Sequence, residues 1–207
     1  MSTAMAITAM TAGVRPGRLV DVPAVVRLLV PGPPSDDEDQ ARRALRLLLA
    51  HHLLEEGQLW VAEGGLGDTR VAAAAIWLPP GARPPGERVA RVLARELRHP
   101  VDVIAAGMGA RAALAAARPG ERHWTLTTAG MLGPDWDERR ARGLLAPGFA
   151  AADRDAASVL AITTTERDAR RLGGLGFVGA RHVTTAHGPG AWLARRPAAG
   201  RGVAARG

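Results

Sequence analysis

The chain reads as one α/β domain: a mixed sheet flanked by helices. Three observations predict it. At 207 residues the chain can bury one good core and is short for two. Apolar runs of strand length are interspersed with stretches of helical periodicity, so sheet and helices share that core. The breaks between them are Gly and Pro clusters, and no internal repeat or heptad appears.

The elements follow in order. A short strand is expected around Gly13 to Arg15, and Asp21 can cap a helix that Pro23 helps start and that runs through Leu29. The run P-G-P-P ends it. Ser35 and Glu38 have capping-box spacing, ahead of a helix in which Leu45, Leu48, Leu49 and Leu53 recur at helical spacing and which Gly57 closes. L-W-V-A-E and R-V-A-A-A-A-I-W-L form a β-hairpin, and Pro79 and Pro80 stop its second strand. Val89, Val92, Leu93 and Leu97 mark an amphipathic helix, and the Ala-rich Val101 to Ala117 a second. These two make a helical insertion at about residues 86–118. His123 to Leu132 is a fourth strand, a helix covers about Glu138 to Asp153, Ser158 to Thr163 is a fifth strand, and Glu166 to Leu172 is a short helix. Two closing strands lie near Phe177 to Thr184 and Gly190 to Arg195. Residues 1–12 and 198–207 have little to bury and are expected to be disordered around a domain at 13–197.

Composition excludes several functions. There is no Cys, so disulfides, thiolate metal sites and a cysteine nucleophile are impossible, and an intracellular setting is the simple reading. The net charge of +7 comes entirely from Arg, interleaved with Asp and Glu and not clustered with aromatics. It therefore reads as solvated surface, not as a nucleic-acid footprint. The N-terminus has no basic leader, and Val101 to Ala117 is interrupted by Asp102 and Arg111 and too short to span a bilayer. A cytoplasmic protein without nucleic-acid or membrane partners, monomeric or homodimeric, is the expectation.

From Trp124 the chain runs W-T-L-T-T-A-G-M-L-G-P-D-W-D-E-R-R-A-R-G-L-L-A-P-G-F, followed later by T-E-R-D and L-G-G-L-G-F. This stretch resembles the GNAT N-acetyltransferase superfamily, most closely its puromycin N-acetyltransferase branch. The resemblance implies a mostly antiparallel sheet splayed between the fourth and fifth strands, and a coenzyme A site where the fourth strand leads into a helix. There, bare backbone N–H groups and the helix dipole attract a pyrophosphate, and glycines allow close approach. The cofactor contacts it implies fall on Met131, Leu132, Arg139, Arg140, Ala141, Arg142 and Asp168.

The chemistry expected of that family is eroded at several positions. Its R/Q-x-x-G-x-G/A loop falls on Trp136, Asp137, Glu138, Arg139, Arg140 and Ala141, and only Ala141 fits. A non-glycine residue held in the strained geometry of such a loop costs roughly 1–3 kcal/mol. Asp135, Asp137 and Glu138 add negative charge beside the expected phosphates, although acids at a helix N-terminus are also ordinary stabilisers. Leu172 stands where many members carry a Tyr acid, and the chain has no Tyr at all. Ile162 replaces a carboxylate of the puromycin branch, and Asp168 an Asn beside the cofactor. Against this, Arg139, Arg140 and Arg142 offer guanidinium groups that can grip a pyrophosphate.

Candidates for other chemistry are few. His187, in the loop T-A-H-G-P-G, is the better acid/base candidate among the six histidines, although a turn role is the commoner one. Thr128 and Thr164 join it as catalytic candidates. His51, His52, Glu55, Trp77, Thr127, Thr163 and Trp192 are candidates for a substrate pocket, each with an ordinary structural alternative in core packing or β-propensity. His51 and Glu55 are spaced i, i+4 but lack a third ligand, so no metal site is expected. The favoured expectation is a small-molecule enzyme of specialised metabolism that uses no cofactor and runs a cyclisation, rearrangement or elimination in the emptied cleft. The alternatives are an N-acetyltransferase using acetyl-CoA, and a metabolite-binding or self-resistance protein without catalysis.

Overall fold

A computed structural model describes residues 13–30, 32, 35–64, 70–96, 122–131, 137–163, 165–185 and 188–199. The expected second inserted helix, Val101 to Ala117, and most of both termini lie outside the described residues. The elements are β1 (Val14–Pro16), α1 (Val22–Leu29), α2 (Asp36–Leu48), β2 (Gln58–Glu63), β3 (Val71–Leu78), α3 (Glu87–Glu96), β4 (His123–Met131), α4 (Glu138–Arg154), β5 (Ser158–Thr163), α5 (Glu166–Gly173), β6 (Val178–Thr185) and β7 (Gly188–Arg196).

The strands form one sheet in the order β1-β2-β3-β4-β5-β7-β6. Every pairing is antiparallel except β4 with β5. Alternation along the strands sends side chains into two clusters. Ala73, Ala75, Trp77, Trp124, Leu126, Val159, Ala161 and Ala194 pack with Ala141, Leu144, Leu145, Ala152 and Leu172 of α4 and α5. On the other face Val61, Ala74 and Ile76 pack with Val22, Val25, Val26, Leu45 and Leu49 of α1 and α2. The alanine run of β3 is therefore apolar throughout because that strand is covered on both faces.

Two close approaches fix the helices on the sheet. A Cβ on Gly148 would lie 2.5 Å from Trp77 Cδ2 and Cζ2, so only glycine lets α4 rest on that indole. A Cβ on Gly130 would lie 2.8 Å from Leu29 Cδ2, which is how α1 reaches β4. Pro147 sits inside α4 next to the first of these contacts.

Several sequence expectations are corrected in detail. Ser35 does cap α2, accepting from Glu38 N–H at 3.3 Å. Asp21 occupies the N-cap position of α1 but makes no cap bond with its side chain. Its carboxylate is held instead by Arg15, at 2.8 and 2.9 Å, and by Arg18 N–H at 2.8 Å, the guanidinium gripping both oxygens. Arg15 also donates to Glu63 at 2.7 Å, and the network ties β1, β2 and the start of α1 together. The helix after Ser35 is not α-helical to its end: Leu49–Leu53 forms a π-helical segment before a last turn at Leu54–Glu56. At the far end the packed structure runs two residues past 197, with Ala198 buried and Ala199 N–H 3.4 Å from Asp153.

Candidate functional site

The site begins where the one parallel pair among the described strands comes apart. β4 and β5 are paired from His123 opposite Ser158 to Leu126 opposite Ala161. Beyond that point β4 continues to Met131 against β3, and β5 to Thr163 against β7, with no ladder between them. Two interior strands thus present unpaired backbone edges to one opening, with α4 and α5 starting just beyond the two strand ends.

A β-bulge marks the same place. Leu126 lies opposite Trp77 and Thr128 opposite Ile76, which leaves Thr127 as an extra residue on β4. Its hydroxyl donates to the Ile76 carbonyl at 3.1 Å, so the bulge satisfies itself. Bulges gather next to active sites because they re-aim a strand locally. The sequence gives no sign of this one, since a bulge is set by cross-strand register.

The predicted site residues fall into distinct places. Thr128, opposite Ile76, faces the α1/α2 side, while Thr163, opposite Trp192, faces the α4/α5 side, so the two flank the opening from opposite faces. Thr163 and Trp192 are half-buried neighbours, and Met131 is half-buried against the first cluster. Trp77 is 0% exposed and lies beneath α4, edge-on to Phe149 at 5.5 Å; it offers a ligand no surface. His51, His52 and Glu55 lie in or next to the π-helical segment over β2, with His52 buried and the other two exposed. Thr164, His187 and Leu132 lie outside the described residues. Among the described residues no group of three His, Asp or Glu could hold a metal ion, and no helix is long and apolar enough to cross a membrane.

The N-terminus of α4 is where an anionic cofactor would sit. Asp137 occupies it: its carboxylate accepts from Arg139 N–H at 2.9 Å and from Arg140 N–H at 3.2 Å. Arg142 is bound to Glu138 at 2.5 Å and to the Gly174 carbonyl at 2.9 Å, and Arg140 faces Asp137 at 3.9 Å. Arg139 makes no ion pair among the described residues. Ala141 is 1% exposed and belongs to the core. At α5, Thr165 caps by accepting from Asp168 N–H at 3.1 Å, and the Asp168 carboxylate is held by Thr165 Oγ1 at 2.6 Å and by Arg171 at 2.9 Å. The chain's own side chains thus take two N–H groups at the start of α4 and one at the start of α5. At α4 the two N–H groups that Asp137 holds are among those an anion at this helix start would use.

The positions expected to move protons are apolar here. Leu172 is buried in the first cluster, and Ile162 packs with Leu160, Leu193 and Val183.

Solved structures share this architecture over nearly the whole chain. A Corynebacterium glutamicum structure named as histone acetyltransferase HPA2 and related acetyltransferase matches at 19% identity, with a TM-score of 0.63, 94% of this chain and 100% of that chain covered. The chain has the GNAT fold. The C-terminal condensation domain of Ebony, in complex with β-alanyl-dopamine, matches at 10% identity and TM-score 0.61, over 89% of this chain and 97% of that one. A GNAT-family structure from Desulfovibrio desulfuricans matches at 14% identity and TM-score 0.52, over 89% and 98%. No family model and no curated protein matches the sequence. At these identities the structural likeness shows the GNAT fold and nothing finer.

Proposed function

We propose that the chain is a GNAT-fold small-molecule enzyme of specialised metabolism whose cleft between β4 and β5 works without acetyl-CoA. The observation that carries this reading is the Asp137 carboxylate on the N–H groups of Arg139 and Arg140. A diphosphate needs those donors, and it would have to displace a tethered anion or approach it against charge repulsion. Leu172 and Ile162 support the same reading, since neither can transfer a proton.

What remains is a cleft that positions a ligand. Thr163 can orient a polar group, and the half-buried Trp192 beside it offers apolar surface. Binding a substrate in a reactive conformation suits an intramolecular cyclisation, rearrangement or elimination, in which most of the barrier reduction comes from orientation. A condensation domain that holds β-alanyl-dopamine shares the architecture with acetyltransferases, so the fold accommodates an aromatic amide ligand as well as acetyl transfer.

One observation favours a second reading. Arg139 is exposed and without an ion pair among the described residues, and with Arg140 it could hold a pyrophosphate by side chains alone. The protein would then be an N-acetyltransferase in which the amine attacks directly. Isothermal titration with acetyl-CoA separates the two. The first reading expects no saturable heat, and micromolar binding would replace it with the second.

A further inference from the structure

Directly opposed residues on paired strands share a face of the sheet. Thr163 on β5 lies opposite Trp192 on β7, and Trp192 opposite His182 on β6, so the three form one row across three strands. One step further along, Ala161 lies opposite Ala194, and both are buried in the cluster beneath α4 and α5. Cover by the helices ends between those rows: Thr163 and Trp192 are half-buried and His182 is exposed. The row thus starts at the parting of β4 and β5 and runs outward to the sheet edge. With strands about 4.8 Å apart, it spans about 10 Å.

We propose that Thr163, Trp192 and His182 form a subsite for a planar aromatic small molecule, with the Trp192 indole as its wall and polar groups at both ends. This deepens the reading of the cleft as a small-molecule site and rests on it. Trp192 and His182 stand edge to face, with ring centroids 5.4 Å apart and planes at 61°, and both keep exposed surface against which a further ring can pack. Neither ring nitrogen of His182 has a hydrogen-bond partner among the described residues. At the inner end, Thr163 Oγ1 accepts from Thr165 N–H at 3.4 Å, which leaves the hydroxyl proton for a ligand acceptor. The ligand class is a fused or substituted aromatic of two-ring size, carrying an acceptor for Thr163 and a polar group for the imidazole. His182 acts here in recognition.

The test uses the whole protein, isotopically labelled at histidine, with indole as the probe and cyclohexylamine as the non-planar control. Indole is expected to move the His182 ring signals along a saturable curve while cyclohexylamine does not. Trp192→Leu should weaken indole binding about tenfold or more, and Trp192→Phe should restore most of it. Unmoved His182 signals in the wild-type protein, or equal binding by Trp192→Leu and wild type, would overturn the proposal. Acetyl-CoA binding, measured separately, bears on the cofactor-free reading and leaves the His182 result standing on its own.

Discussion

Gly148 offers the sharpest test of how the site is supported, because the seating of α4 on the sheet fixes where its N-terminus points. In an exposed helix interior, Gly→Ala stabilises by about 1 kcal/mol through backbone entropy. Here the new methyl would press on three ring carbons of Trp77, Cε2 nearest and Cδ2 and Cζ2 at 2.5 Å, where ordinary contact is about 3.5–4.0 Å. Relief needs a movement of about 1 Å by α4 or by an indole that is 0% exposed and backed by Phe149. That puts the overpacking cost near the top of the usual range, about 3 kcal/mol, for a net loss of about 2 kcal/mol in Gly148→Ala. Gly143 lies on the same helix with nothing within 4 Å of its would-be Cβ, so Gly143→Ala should gain about 1 kcal/mol. For a domain of this size the pair predicts a melting temperature roughly 4–8 °C lower for the first and roughly 2–4 °C higher for the second. Urea unfolding of both variants and the wild type, with the slope held in common, gives the free energies directly. If the two alanine variants were equally stable, the close approach of α4 to Trp77 would not exist as described.

Removing the cap carboxylate in Asp137→Ala should cost about 1 kcal/mol of stability and at the same time free two N–H donors; inorganic pyrophosphate should then raise the melting temperature of this variant and not of the wild type. Arg15 holds the Asp21 carboxyl below the usual carboxylate range, and Arg196 does the same for Asp153. Their contribution is therefore complete above the unfolded value of about 4 and is lost as the pH falls through the lower folded values. Asp21→Asn should lower stability by about 2 kcal/mol at neutral pH and show a shallower decline than wild type below about pH 4, checked by urea unfolding across that range. Thr127→Val removes the hydroxyl bond to the Ile76 carbonyl and should cost about 1 kcal/mol, with Thr127→Ser recovering part of it.

Much of the architecture could be read from local chemistry. Ser35 with Glu38, the hairpin strands, and β5 at Ser158–Thr163 are specified within a few residues by capping, alternation and bounding turns. What sequence could not show depends on partners far along the chain. Asp21 looks like a helix cap until Arg15 is folded beside it, and the Thr127 bulge exists only relative to β3. Trp77 and Trp192 look alike as strand tryptophans, yet one lies under α4 and the other stands half-open beside Thr163, because helix placement decides which stretch of sheet is covered. His182 escaped notice for the same reason: a histidine on an edge strand acquires meaning from its cross-strand neighbour.

The central claim concerns two backbone amides, and it can be watched at those atoms. In a ¹⁵N-resolved titration of the wild-type protein with coenzyme A, the signals of Arg139 and Arg140 should stay in place, because Asp137 already holds both N–H groups. Saturable movement of both at micromolar coenzyme A would mean that the diphosphate takes the position of that carboxylate, and the cofactor-free reading would be wrong.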